Sequence, residues 1–298
     1  MGADLPAVAA ARMAALQSSG TWGSALTADE FAAVRSAGFE PVGQVFGAAV
    51  YSSGSAIGYA CPGAGRPSGE GPPTQVSGRG GAGSFAPLMR AMDQARHTAV
   101  GRMITECTEL GGHGVVGVRV TRGTFPLGGT QFIVIGTAVR APGAAQGQPA
   151  PFTCDMSGQD FAKLIMTGWV PVGLVLGISI GSRHDDRSTA RQARWTAGNA
   201  EVAGWTDLVS QSRQDARHQL ENDVKRLGAH GAVIAAMPMR VRQRDCPAAA
   251  GRHDHIVEAT LIGTAVAQFA QAGQRHDSPA LSVMPLDPER RQTARIRI

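Results

Sequence analysis

Aromatic side chains are scarce in this chain, at 5% of 298 residues, and lysine is nearly absent, at Lys163 and Lys225 only. The formal charge of +5 therefore rests on arginines scattered along the sequence. With no basic cluster and too few aromatics for a stacking platform, a nucleic-acid partner is not expected. No apolar run approaches the roughly 18 residues that a membrane-spanning helix needs, so no membrane association is expected. The first 20 residues lack a basic start and an apolar stretch, so no signal peptide is read there and a cytoplasmic location is expected. Cys61, Cys107, Cys154 and Cys246 form no C-x-x-C pair. A zinc knuckle is thus not expected, nor are disulfides in a cytoplasmic chain. There is no G-x-S-x-G elbow, no phosphate-binding loop ending in Gly-Lys-Ser/Thr and no H-E-x-x-H, and no catalytic residue is assigned. Glu106 and Glu109 read as carboxylates on the exposed side of a helix.

What the chain does have is an echo of itself. DEFAAVRSAGFEPVGQVFG (Asp29 to Gly47) returns as QDFAKLIMTGWVPVGLVLG (Gln159 to Gly177). Ala95-Arg96-His97 returns as Ala216-Arg217-His218, GGHGVV (Gly111 to Val116) as GAHGAV (Gly228 to Val233), and Gly136-Thr137-Ala138-Val139 as Gly263 to Val266. Four collinear matches indicate a duplicated domain, and the chain is long enough for two ordinary cores. The reading is a leader over 1–25, a first repeat over 26–141, a Gly/Pro/Ala linker over 142–151, a second repeat over 152–269 and a polar tail over 270–298.

Each repeat opens with a short helix. Thr27-x-x-Glu30 has the form of a capping box, and Ser157-x-x-Asp160 is a weaker version. Gly38 and Gly168 fit the left-handed position after the last turn, and Pro41 and Pro171 block resumption. Strands are expected over Val42 to Tyr51 and Val172 to Ile180. Gly43, Gly47, Gly173 and Gly177 are costly inside strands and imply a bulge or the close approach of another backbone; Gly136 and Gly263 belong to the same set of structural glycines. Variable insertions follow, 52–83 read as a mobile Gly/Pro/Ser loop and 181–204 as a polar loop. Long helices come next, with one apolar stripe through Leu88, Met92, Ala95, Ala99, Met103, Cys107 and Leu110, and another through Trp205, Leu208, Ser212, Ala216, Leu220, Val224 and Leu227. Paired strands close each repeat: Val115 to Thr121 with Gln131 to Arg140, and Ala232 to Val241 with Ile256 to Ala267. Pro238 requires its strand to be at an edge or bulged. The fold class is α+β, two repeats of α-β-α-β-β, each a long helix on a small, mainly antiparallel sheet whose edges call for another copy.

The order G-[FW]-x-P-V-G-x-V-x-G, long helix carrying Ala-Arg, G-x-x-[AG]-V-[VI] and G-T-A-V resembles the YbjQ-like family, the heavy-metal-binding domain family, over about two-thirds of each repeat. The resemblance implies a dodecin-like α+β domain that assembles into rings, typically pentamers, with no established reaction. The family's turn after the long helix is closer to G-A-N-A-V, and its chains usually carry one domain. A ring of tandem pairs therefore needs another stoichiometry, or the two halves pair with each other.

Three groups of histidines could carry binding. His113 and His230 occupy the same turn in both repeats, as ligands for a metal or small molecule, or as helix-terminal residues bonding to free carbonyls; the second reading is the simpler. His97 and His218 lie on the long helices beside an arginine, as ligand-binding or oligomer-surface positions. In His253-Asp254-His255, strand alternation places both imidazoles on one face, a possible transition-metal site with Cys246 and Glu258 near in sequence. A third ligand would come from elsewhere, His184 or His230. The function expected is a non-enzymatic, ring-forming scaffold or small-ligand binder, with transition-metal binding as the alternative.

Overall fold

A computed structural model describes residues 4–52, 61, 74–78, 85–125, 129–143, 150–246 and 251–269. Its class is mixed α+β, with helices packed on two sheets. The first sheet has the order β1 (Glu40–Ser52), β4 (Gly129–Arg140), β3 (Gly114–Phe125), β5 (Phe152–Thr153) and carries α3 (Ala86–Glu109). In the second, β2 (Thr74–Ser77), β6 (Trp169–His184), β9 (His253–Gln268) and β7 (Gly231–Ala236) are neighbours, β8 (Met239–Asp245) also pairs with β9, and α6 (Ala203–Arg226) lies against β6 and β9. All pairings are antiparallel except β3 with β5. No helix among the described residues is long and apolar enough to cross a membrane.

The short helices form where the capping residues place them. At α2 (Ala28–Ser36) Thr27 and Glu30 complete a reciprocal box, and at α4 (Gly158–Met166) the Ser157 hydroxyl accepts the Asp160 N–H. Strand β1 and strand β6 each bulge between the proline and the following glycine, at Pro41/Gly43 and Pro171/Gly173. Gly47 and Gly177 are contact points for helices: a Cβ on Gly47 would stand 1.9 Å from the carbonyl oxygen of Ala99, and one on Gly177 1.8 Å from that of Ala216. Each long helix therefore lies directly on a strand backbone, where only glycine leaves room. Gly136 and Gly263 are similarly confined, a Cβ there meeting Val115 Cγ1 and the Val233 carbonyl, both at 2.5 Å.

These contacts correct one reading. Ala99, rather than Ala95, occupies the place in α3 that Ala216 occupies in α6, so the Ala-Arg-His echo is one helical turn out of register. His97 and His218 are therefore not counterparts. Repeated small and polar residues on a helix recur by chance at one-turn offsets; the backbone contact sets the register.

The halves share a core. Ile178 and Ile180 of β6 pack with Val45, Met92, Ala99 and Val134 of the first half. Thr153 Oγ1 accepts the Leu174 N–H at 2.8 Å, and Phe39 meets Phe161 edge-on at 5.1 Å between ring centres. Arg122 pairs with both carboxylate oxygens of Glu258, the second at 3.0 Å.

Four further differences concern charged and inserted segments. Glu106 is fully buried rather than on an exposed helix face; it accepts the Phe46 N–H at 2.7 Å and pairs with Arg12. Arg12 comes from α1 (Ala7–Ser19) in the leader, whose Met13 is buried and whose Gln17 side chain donates to the Glu109 carbonyl. Part of the 52–83 insertion, strand β2, pairs with Ile180–Arg183 of β6. In the 181–204 insertion β6 continues to His184, and α5 (Arg187–Gln192), capped by Asp186, follows. Strand pairing on β9 breaks between β7 and β8 at Pro238, whose carbonyl accepts the Thr260 N–H. Most of the Gly-rich loop 78–83, residues 144–149 of the linker and the tail 270–298 lie outside the described residues.

Candidate functional site

The end of the second sheet gathers four metal-ligating side chains. Asp254 is the second residue of β9, directly opposite His184 at the end of β6 on one side and Arg244 of β8 on the other. Residues directly opposite in a ladder present side chains to the same face, so strand pairing alone brings His184 to Asp254. Cys246 follows β8 and ties the chain back through its N–H to the Arg252 carbonyl at 2.9 Å. Cys61 arrives from the insertion between β1 and β2.

The donor atoms converge. His184 Nδ1 is 2.8 Å from Asp254 Oδ1, Cys61 Sγ is 3.3 Å from each of these two atoms, and Cys246 Sγ is 3.3 Å from Cys61 Sγ. One donor from each residue fits within 4.8 Å of all the others. Cys61, Cys246 and Asp254 are buried and His184 is half-buried. Asp254 is fully buried, and its Oδ2 has no hydrogen-bond partner among the described residues. A carboxylate held this way needs a cation or a proton.

The two imidazoles of the His-Asp-His motif share the opposite face, as alternation requires, and neither enters the cluster. His255 Nδ1 contacts Asp185 Oδ1 at 3.2 Å, its ring lies 4.6 Å from that of Trp205, and Trp205 Nε1 donates to the same carboxylate. Burial pushes the Asp185 carboxyl up, but the bonds from His255 and Trp205 outweigh it and hold the group below its ordinary value. His253 Nδ1 lies 3.1 Å from the exposed Asp245 carboxylate. Glu258 is taken by Arg122.

His113 and His230 play matching structural parts. His113 Nδ1 accepts the Ala141 N–H and His230 Nδ1 accepts the Gln268 N–H, both at 3.0 Å, so each imidazole ties the helix-to-strand turn to the end of the neighbouring strand. Their ring nitrogens accept backbone N–H groups instead of bonding to helix-terminal carbonyls. His97 Nδ1 is 2.8 Å from the Asp93 carbonyl one turn earlier. His218 lines an open polar groove on α6 with Asp215, Arg217 and Glu221. Gly47 and Gly177 hold helix against strand, Gly43 and Gly173 lie against Leu110 and Leu227 at the ends of the long helices, and Gly136 and Gly263 let the neighbouring strands β3 and β7 come close.

Cys61 and Asp254 escaped sequence reasoning. Cys61 sits in a Gly/Pro/Ser stretch with no periodicity, and Asp254 was masked by its flanking histidines, although alternation puts it on the other face. The remaining thiols are a different population: burial pushes both Cys107 and Cys154 up to about 12.

A second feature is apolar surface left exposed on β1 of the first sheet and on β7 and β8 of the second. On β1, Phe46 and Val50 are 37% and 52% exposed, whereas Leu176 and Ile180 at the corresponding places of β6 are 3% and 4% exposed. On β7, Val233 is 44% exposed, whereas Val116 of β3 is fully buried. Ile234, Met237, Met239 and Val241 extend the exposed stretch along β7 and β8. Among the described residues β1 pairs only with β4, and β7 and β8 only with β9.

Comparison with known proteins gives two matches. The family model YbjQ_1, described as "Putative heavy-metal-binding", matches residues 79–142. The encapsulin nanocompartment protein Rv1762c of Mycobacterium tuberculosis is 32% identical over 238 residues, spanning 77% of this chain and 82% of the relative. The chain belongs to the family of that mycobacterial protein. The cluster lies wholly outside the segment that the YbjQ_1 model matches, since His184, Cys246 and Asp254 come after residue 142 and Cys61 precedes residue 79.

Proposed function

We propose that the chain is a tandem pair of YbjQ-like units whose work is self-association into a scaffold, with assembly rather than turnover as its role. The observation that carries this reading is the contrast between buried and exposed copies of the same positions. Within the chain, β3 and β6 bury Val116, Leu176 and Ile180; the corresponding positions Val233, Phe46 and Val50 are open to solvent. A chain that repeats its internal contact with a second copy covers them all. The second half of one chain sits on the first half of the next, a head-to-tail contact that closes into a ring when its rotation allows.

The charged groups at the two places differ in origin. Arg96 of α3 reaches the second half, with Nη1 3.3 Å from the Leu176 carbonyl and Nη2 3.9 Å from Asp223. On the first half, Arg12 of α1 takes the corresponding place on Glu106. The likeness to an encapsulin nanocompartment protein supports membership of a large assembly, with no nucleic acid or membrane component invoked. Light scattering on Phe46→Asp and Val233→Arg variants tests the reading. Both are expected to lower the mass of the assembly without loss of secondary structure, since each charge falls where a neighbour's apolar side chain would pack. Unchanged mass in both variants overturns the head-to-tail contact.

A further inference from the structure

The geometry points to a thiophilic divalent-metal site, of the kind that holds zinc, formed by Cys61, His184, Cys246 and Asp254. Donor type, spacing and burial each argue for it. Two thiolates, one imidazole and one carboxylate are the ligand types zinc takes in closed four-coordinate sites. A tetrahedron with Zn–S of about 2.3 Å and Zn–N or Zn–O of about 2.0–2.2 Å has edges of roughly 3.3–3.8 Å. The edges found here are 2.8 Å between His184 and Asp254 and 3.3 Å for each of the three contacts of Cys61. A small outward relaxation admits the ion. Asp254 supplies the independent mark, a fully buried carboxylate with Oδ2 unpartnered among the described residues and with the half-buried imidazole of His184 against its other oxygen.

Two rival chemistries fit less well. In a cysteine nucleophile relay the imidazole meets the thiol through one ring nitrogen and the carboxylate through the other. Here Cys61 Sγ and Asp254 Oδ1 both face His184 Nδ1, so no proton can pass through the ring; convergence on a single point is what a metal requires. In a Cys61–Cys246 disulfide, His184 and Asp254 would have no reason to join the pair. Metal entry is balanced simply: each thiol releases its proton to solvent as its sulfur binds, and nothing is oxidised.

The ligands come from four places: the 52–83 insertion, the end of β6, the residue after β8 and the start of β9. The ion would therefore clip the insertion of the first half onto the second half and fix the end of the second sheet. This role does not depend on the head-to-tail contact, whose residues lie elsewhere.

Full-length protein purified without a polyhistidine tag, stripped with chelator under reducing conditions and titrated with Co²⁺ provides the test. The expected result is one equivalent bound, with thiolate-to-cobalt charge-transfer absorption and the visible bands of a tetrahedral ion, both displaced by Zn²⁺. Cys246→Ser should abolish the charge-transfer signal or weaken binding by more than the roughly 10–100-fold that loss of an outer-shell partner costs. His253→Ala should leave it unchanged. The wild-type spectrum reports thiolate ligation on its own, so the test survives a variant that misfolds. Octahedral cobalt without charge transfer, no binding at all, a Cys61–Cys246 disulfide that forms in place of the metal complex, or loss of metal in His253→Ala with retention in Cys246→Ser overturns the site.

Discussion

Gly47 and Gly177 carry the tightest contacts between helix and sheet. An added methyl at either place meets a helix carbonyl oxygen at under 2 Å, a backbone atom that cannot turn aside. Gly47→Ala and Gly177→Ala are each expected to cost about 1–3 kcal/mol or more in urea unfolding. Gly23→Ala, with nothing within 4 Å of its added methyl, should be near neutral in the same assay. The sequence marked both strand glycines, because glycine inside an apolar strand has a cost that only a close approach or a bulge offsets. It did not mark Glu106, since a lone carboxylate on a helix reads as exposed unless its partner, Arg12, is known to lie against it. Asp155 gives a pH-dependent test. Burial raises its pKa, opposed by the hydrogen bond from the Thr264 hydroxyl. A carboxyl whose folded pKa exceeds its unfolded value contributes fully below the unfolded value and loses that contribution as pH rises through the folded one. Asp155→Asn cannot ionise, so its stability relative to wild type should rise as the pH climbs above the ordinary carboxylate value of about 4, measured by thermal unfolding over a pH series.

At the scale of elements, α1 is the clearest case of structure beyond the sequence pattern. Its composition is Ala-rich and nearly featureless, yet it brings Arg12 to the only carboxylate oxygen of Glu106 that is hydrogen-bonded among the described residues. Arg12→Ala removes that guanidinium from a fully buried carboxylate and should cost about 1–3 kcal/mol, again read by urea unfolding. The short helices were legible because their capping chemistry is local: Thr27, Glu30 and Ser157 act on residues three positions away. The long helices were legible from their stripes. Strand β2 was not, because four residues inside a Gly/Pro/Ser insertion carry no period, and their place is set by pairing with β6 far along the chain. Pro238, which cannot donate to a ladder, lies where pairing breaks between β7 and β8. The metal-ligating cluster was half visible. The His-Asp-His motif drew attention to the right strand, but strand alternation turns Asp254, and neither histidine, toward His184 and the two thiols.

For the whole molecule, the central claim is that one contact, made once inside the chain, is made again between chains. β3 and β6 bury Val116, Leu176 and Ile180, whereas Phe46 and Val50 of β1 and Val233 and Ile234 of β7 are exposed. The metal-ligating cluster and the assembly contact use different residues, so loss of one leaves the other to be measured. Native mass spectrometry of the untagged wild-type chain addresses the claim most directly. A discrete population at a whole-number multiple of the 30.8 kDa chain is expected, and a bare 30.8 kDa chain at every concentration tried would show that the two halves complete each other and that the outer surfaces join nothing.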